Sequence, residues 1–320
     1  MDRINILCST DDKFAPYYGI MLTSLFENNK EEEFAIFVMT AGLGNKILRD
    51  YHTLTNQYHA ELHIITIDNA ALKECPIRTG DHVTIATYYR LLSPKLLDNI
   101  DKILYLDGDI IINGKIRPLW ETEIREHALA AVVDVFYYQE ESHLRLNIPF
   151  EYDYFNAGVL LMNLKYWRNH QVMNRCMRLI ETQADKLIYH DQDTINAVLY
   201  KEIKRLPLTY NFQFGFIYRV FHNKLGKEVQ EEIKSNLMNP VIIHYSGSHK
   251  PWHKRSRYPY TPYYIYYKKI SLWKRSPQIG HFTLYENIKY YLNKIIWTLG
   301  IKKEFNSYIV NYQTLKDIKN

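Results

Sequence analysis

Lys102-Ile103-Leu104-Tyr105-Leu106-Asp107-Gly108-Asp109-Ile110-Ile111-Ile112 is the stretch on which the reading of this chain turns. Its apolar residues form a short, β-rich run bounded by turn chemistry, which describes a buried strand better than a helix. The strand ends in two carboxylates separated by one glycine. In extended chain, side chains two residues apart point the same way, so Asp107 and Asp109 can face one point in space. Ionised carboxylates that close together repel each other, and burying them unpaired is costly. A hard divalent cation resolves the conflict, because oxygen ligands suit magnesium and manganese. Taken alone, Asp-x-Asp is more often a solvated turn, so its meaning depends on what surrounds it.

Upstream, residues 3–8 read as a strand that runs into Ser9-Thr10-Asp11-Asp12. Residues 17–28 place Ile20, Met21, Ser24 and Leu25 at helical spacing. Residues 34–39 and 61–67 read as strands, with a helix over 46–58 between them. This alternation predicts parallel βαβ units with helices on both faces of one sheet. Such sheets bind ligands at the carboxyl ends of their strands. Asp11 and Asp12 follow one strand, and Asp107 and Asp109 end another. Residues 75–83, with Pro76 and Gly80, read as a loop before a helix over 84–92 that presents Arg90. Downstream, residues 128–133 form a buried strand ending in Asp134, and residues 137–147 a polar, partly helical excursion. Residues 158–162 form another strand. Helices follow over 169–186 and 191–200, the second with Asp191 in an N-cap position. A short strand over 241–243 ends at His244.

The 320 residues can bury one large core or two modest ones. Cys8, Cys75 and Cys176 show no Cys-x-x-Cys spacing, which argues against a disulfide framework or a thiolate zinc site and for a reducing compartment. The first residues lack a basic segment followed by a long apolar one, and no apolar run reaches bilayer-spanning length. A cytoplasmic protein is expected. The net charge of +5 hides an asymmetry: residues 251–303 hold eleven Lys and Arg against the single acid Glu286, leaving the body acidic. Eleven of the 28 tyrosines also lie beyond residue 250, concentrated over 258–267. Further on, Leu284, Ile288, Tyr291, Leu292, Ile295 and Leu299 share a helical stripe. A basic, aromatic tail suits an interfacial helix on an anionic membrane surface. The same stripe equally suits docking on the protein's own core. Nucleic acid is not an expected partner, since no recognised binding motif is present.

Four segments therefore carry polar residues at strand ends or loops: Ser9–Asp12, Asp107–Asp109, Asp191-Gln192-Asp193, and His244-Tyr245-Ser246-Gly247 with Lys250-Pro251-Trp252. Together they suit a phosphate-handling site. A neutral imidazole completes a carboxylate metal site, Gly247 frees the backbone, and Lys250 supplies a fixed positive charge.

On these residues, with Thr87-Tyr88-Tyr89-Arg90-Leu91, Pro118-Leu119-Trp120 and Tyr154-Phe155-Asn156-Ala157-Gly158-Val159, the chain resembles glycosyltransferase family 8. That family holds bacterial lipopolysaccharide galactosyl- and glucosyltransferases, proteins like general stress protein A and, more distantly, glycogenin. The resemblance spans roughly the first 255 residues and is far more specific than any single motif. It implies a GT-A nucleotide-diphospho-sugar transferase fold over residues 1–255, an α/β domain with one Rossmann-like mixed sheet and helices on both faces. Residues 256–320 would be a mainly helical, basic and aromatic extension. The implied donor is a UDP-hexose, the reaction retaining, and the acceptor a glycan or glycolipid. Asp107, Asp109 and His244 would hold Mn²⁺, with Mg²⁺ as substitute. Ser9, Thr10, Asp11, Asp12, Gly108 and Asp109 would meet the nucleotide. Arg90, Asp134, Asn156, Ala157, Asp191 and Gln192 would surround the donor sugar. Gly247 and Lys250 would lie on the diphosphate, in a loop closing over the donor. The enzyme would work in the cytoplasm or at the inner face of the cytoplasmic membrane.

Retention through a covalent intermediate needs a nucleophile under the sugar ring. Gln192 is a poor one, so the resemblance favours front-side attack by the acceptor hydroxyl. Asp193 is the carboxylate alternative, although a helix N-terminus accounts for it as well. Lys13-Phe14 departs from the Asn-Tyr that relatives often carry after this acidic pair, which puts one uridine contact in doubt. Two rivals stay open. Another sugar-nucleotide or phosphate-transferring enzyme should carry a glycine-rich loop after the first strand, and Ser9–Asp12 has no glycine. A catalytically silent, membrane-associated nucleotide-sugar binder is separated only by turnover.

Overall fold

The computed structural model of the chain describes residues 2–77, 83–135, 140–221, 227–247, 250–254, 256, 258, 260–280, 285, 288, 291 and 292. Ten strands occur among them: β1 (Ile4–Ser9), β2 (Phe34–Thr40), β3 (Glu61–Thr66), β4 (Lys102–Leu106), β5 (Ile110–Ile112), β6 (Leu129–Val133), β7 (Phe155–Asn163), β8 (Ile203–Arg205), β9 (Phe212–Gln213) and β10 (Ile242–His244). Seven of them build one sheet in the order β3-β2-β1-β4-β7-β6-β8. The other three build a small sheet, β5-β10-β9.

In the large sheet, β1 runs parallel to β2 and β4, and β2 parallel to β3. The parallel βαβ units expected from the alternation extend this far. β7 lies antiparallel to both β4 and β6, so the sheet is mixed. The reversal has a consequence for function. Because β7 is inverted, its amino end joins the carboxyl ends of β1, β4 and β6 on one edge. Ser9, Leu106, Val133 and Phe155 therefore all stop at that edge, and the residues beside them are polar. β1, β2 and β4 are apolar and almost wholly buried, as strands covered on both faces must be.

The opening stretch is two strands rather than one. β4 belongs to the large sheet and β5 to the small one, and Asp107-Gly108-Asp109 is the hinge between them. β10 pairs antiparallel with β5, with His244 opposite Ile110. That register brings an imidazole from the far end of the chain beside the hinge. Gly108 is required by space: a Cβ there would sit 2.7 Å from the ring of Tyr18.

Helix α1 (Ala15–Asn28) starts after the acidic turn, where Asp11 Oδ1 accepts the Phe14 N–H at 2.9 Å. Its neighbours include β5 and the helix Thr261–Ile270. Tyr260, Tyr264, Tyr267 and Trp273 of that later region are buried. Trp273 lies against Gly19 of α1, where any Cβ would collide with its indole. Of the amphipathic stripe over 284–299, only residues 285, 288, 291 and 292 are described. No helix among the described residues is long and apolar enough to cross a membrane.

Other boundaries differ locally. The segment over 85–92 is a 3₁₀ helix. The helix expected over 169–186 starts at Val172, after Gln171 at a positive φ of 50° separates it from Leu164–Asn169. Asp191 is not an N-cap. The helix His190–Leu199 follows Tyr189, so Asp191 and Asp193 lie in its first turn, where the helix dipole favours acids.

Candidate active site

Two adjoining clefts open along the polar edge. One is lined by Ser9, Thr10, Asp11, Phe14, Tyr18, Thr84 and Trp252, among others. The other, of about 570 Å³, is lined by Asp134, Asn156, Ala157, Asp191, Gln192, Phe214, His244 and Gly247, among others. Thr87, Arg90, Asp107, Asp109 and Lys250 border both. The acidic hinge thus sits where the clefts meet.

Ligand atoms of Asp107, Asp109 and His244 lie within 4.8 Å of one another. Two carboxylates and an imidazole fit a divalent cation. The surroundings fit as well. Arg90 Nη2 and the Tyr105 hydroxyl both donate to Asp107 Oδ1, at 3.0 and 2.7 Å. Asn211 Oδ1 lies 2.9 Å from His244 Nδ1, the far side of the ring from Asp109. Outer partners of this kind hold metal ligands in orientation. Gly158 has no Cβ where one would lie 2.4 Å from the His244 ring and 3.0 Å from Asp107 Oδ2. Burial pushes the Asp109 carboxyl up, but Lys250 and His244 outweigh it and hold the group below the usual carboxylate range.

Arg90 is the buried cation behind the acids. Its guanidinium stacks on the Tyr105 ring, 3.8 Å from the centroid, and donates to the Ala157 carbonyl. It also lies 3.0 Å from Asp191 Oδ2. Its Nε hydrogen points at the Thr87 carbonyl instead, so Asp191 Oδ2 is ion-paired yet accepts no hydrogen bond. Asp191 Oδ1 takes the Thr87 hydroxyl at 2.5 Å. Burial raises the Asp191 pKa by more than Arg90 and Thr87 lower it. The Arg90 guanidinium itself stays charged, because Asp191 and then Asp107 outweigh its desolvation.

Gln192 is held at both ends of its amide. Oε1 accepts the Ala157 N–H at 3.0 Å and Asn156 Nδ2 at 3.2 Å. Nε2 donates to Asp134 Oδ2 and to the Tyr154 hydroxyl, each at 3.2 Å. A backbone N–H can only donate, so the Ala157 contact fixes which amide atom is oxygen. Asn156 also donates to Asp134 Oδ2 at 2.9 Å.

Two expected residues stand apart. Asp193 does not line either cleft. It is fully buried against Arg145, with contacts of 2.6 and 3.2 Å, and it also accepts from Tyr154 and from the Tyr189 N–H. Asp12 is exposed and accepts the Gly44 N–H at 2.8 Å, tying the β1 turn to the start of the helix Asn45–Gln57. Ser9, Thr10, Asp11 and Gly108 do line the first cleft, and the Ser9 hydroxyl is buried there without a hydrogen-bond partner. Buried hydroxyls are rarely left so, and a ligand would supply the missing partner.

Lys250 Nζ contacts Asp109 Oδ2 and donates to the Tyr245 carbonyl at 3.0 Å. Gly247, with φ of 90°, adopts a conformation that other residues rarely take. Ser248 and His249 between them lie outside the described residues. Sequence reasoning missed Asn211, Tyr105 and Tyr154 as site residues. Tyr105 and Tyr154 lie inside motifs already singled out, whereas nothing around Asn211 marks it.

Comparison with known proteins gives a consistent set. Residues 5–256 match glycosyl transferase family 8. General stress protein A of Bacillus subtilis is 27% identical over 84% of this chain and 94% of its own length. A lipopolysaccharide 1,2-glucosyltransferase of Escherichia coli is 30% identical over 86% of this chain and 81% of its own. Among solved structures, a galactosyltransferase, LgtC, in complex with donor and acceptor sugar analogues superposes with a TM-score of 0.77. It is 25% identical over 84% of this chain and 96% of its own.

Proposed function

This chain belongs to glycosyltransferase family 8, with a GT-A fold, and on that premise we propose that it moves glucose or galactose, with retention, from a UDP-sugar to a hydroxyl of a glycan or glycolipid. Lipopolysaccharide or another surface polysaccharide is the proposed product, in line with the relatives named above. One observation carries the reading: Asp107, Asp109 and Lys250 border both clefts with His244 beside them, a position suited to a diphosphate that links a nucleoside to a sugar.

In this reading Ser9, Thr10 and Asp11 take the uridine, and the Ser9 hydroxyl gains its missing partner. Asp107, Asp109 and His244 hold Mn²⁺, or Mg²⁺ in its place, which neutralises charge developing on the diphosphate when bound. Lys250 turns from Asp109 to a phosphate oxygen and stabilises the same charge. Arg90, Asp134, Asn156, Ala157, Asp191 and Gln192 enclose the hexose. The bond from the anomeric carbon to the phosphate oxygen breaks, and the acceptor oxygen forms the new bond. The acceptor's proton passes to the departing phosphate oxygen. Front-side attack is supported by what lies nearby: Gln192 is a neutral, fully bonded amide, Asp191 is paired with Arg90, and Asp193 is buried against Arg145.

Turnover with a panel of UDP-sugars, Mn²⁺ and candidate acceptors, read as UDP release, tests the proposal. Release from UDP-glucose or UDP-galactose is expected, and no release from any of them would overturn it. Asp107→Ala and Asp109→Ala should each abolish metal-dependent UDP-sugar binding. We also propose peripheral attachment to the inner face of the cytoplasmic membrane. Its support is the outer side of Thr261–Ile270 and the turn after it, where exposed Ile265, Tyr266, Ile270 and Leu272 lie among Lys269, Lys274 and Arg275. Pelleting with phosphatidylglycerol vesicles at low salt, and not with neutral ones, is the expected result.

A further inference from the structure

The tyrosine-rich segment beyond residue 256 lies outside the matched family region, yet it touches the site. Both ends of the turn that carries Gly247 and Lys250 are fastened by it. At the near end, the Tyr245 N–H donates to the Asp109 carbonyl at 2.9 Å, and the Tyr245 hydroxyl donates to the Tyr260 carbonyl at 2.6 Å. The Tyr258 hydroxyl donates to the Ser246 carbonyl at 2.5 Å. At the far end, Trp252 stacks on Tyr17 of α1, with ring centroids 3.7 Å apart, and its carbonyl accepts the Ile279 N–H at 3.0 Å.

Tyr258 holds the most telling position. Its ring stands edge-on to Phe214, 4.9 Å between centroids, and to Tyr245 at 5.4 Å. Phe214 lines the sugar-side cleft, so one side chain spans from that wall to the turn. Its hydroxyl also stands 3.9 Å from where a Gly247 Cβ would lie. The peptide it grips is the one that leads into the left-handed Gly247. We propose that Tyr258 is a positioning residue for the donor diphosphate: by holding the Ser246 carbonyl it sets the Gly247 turn and keeps Lys250 over Asp109 and the phosphates. The proposal rests on the UDP-sugar reading and gives the tyrosine-rich segment a part in it.

Tyr258→Phe keeps both ring contacts and removes only the hydrogen bond. Titration of the full-length protein with UDP in saturating Mn²⁺ should show about fivefold weaker binding, the scale of one net hydrogen bond. Donor KM should rise by the same factor, with kcat and acceptor KM unchanged. A merely structural tyrosine would instead lower the thermal midpoint and the active fraction, leaving donor KM alone. Tyr285→Phe, exposed further along the same extension, is the control and should match wild type. A folded Tyr258→Phe protein with wild-type UDP affinity and donor KM overturns the positioning role while leaving the transferase reading intact. Wild-type protein that binds no UDP overturns that reading, and this role with it.

Discussion

The Asn211 amide decides which nitrogen of His244 carries the proton. The Gly158 N–H donates to Asn156 Oδ1 at 2.9 Å, which identifies that atom as oxygen. Asn211 therefore turns its Nδ2 to Asn156, at 2.8 Å, and its Oδ1 to His244 Nδ1. Nδ1 must donate, which leaves Nε2, 3.3 Å from Asp109 Oδ1, as the nitrogen available to a metal. Asn211→Leu keeps the volume and removes the acceptor. It should weaken Mn²⁺ binding about 10-fold to 100-fold, the usual cost of losing such a partner. Electron paramagnetic resonance of free Mn²⁺ measures this directly, and unchanged affinity would show that the amide does not orient the ring.

Lys250 is ion-paired with Asp109, one of the proposed metal ligands. In the proposed function that contact and metal binding would compete for one carboxylate, whereas Lys250 and the metal would cooperate on a diphosphate. Lys250→Met should therefore move two affinities in opposite directions. Mn²⁺ alone should bind at least as tightly as to wild type. UDP in the presence of Mn²⁺ should bind at least about tenfold more weakly, since a charge-assisted contact is lost. Parallel loss of both affinities would mean that Lys250 builds the metal site rather than competing for it.

Gly158 makes room for His244 and Asp107, the proposed metal ligands, not for a turn. It lies within β7, and an added Cβ would meet His244 at 2.4 Å and Asp107 at 3.0 Å. Gly158→Ala should cost about 1–3 kcal/mol of stability by overpacking. Its larger effect should be on Mn²⁺ affinity, because the ring must swing away from Asp109. Thermal denaturation and Mn²⁺ titration on one preparation separate the two. A stable variant with wild-type Mn²⁺ affinity would contradict the crowding argument.

Legibility in the sequence follows length and period. The long strands of the large sheet announce themselves as apolar runs, and their polar ends marked the edge that holds the site. The small sheet does not, because β5, β9 and β10 have three, two and three residues and carry no period. Hence the Asp107–Asp109 stretch looked like one strand, and the pairing that delivers His244 was invisible. Asn211 sits between a 3₁₀ turn and β9 and resembles any loop asparagine until its contacts are seen. The inversion of β7 is likewise a property of chain return, which local pattern does not encode.

Asp191 and Asp193 show the same limit in reverse, since they look alike in sequence and differ in direction. Two residues apart on a helix, side chains point about 200° apart, so one acid faces the cleft and the other faces away. Asp193 is gripped by Arg145, Tyr154 and the Tyr189 N–H, with none of its surface exposed. Asp193→Asn leaves Arg145 largely buried beside a neutral group. Breaking a buried pair in this way costs about 3 kcal/mol. Stability should therefore fall by that amount in urea denaturation, while kcat per folded molecule stays within about threefold of wild type. A nucleophile that formed a covalent glycosyl intermediate would behave differently, losing several orders of magnitude in kcat with little change in stability. That second outcome would restore Asp193 to the reaction and refute front-side attack.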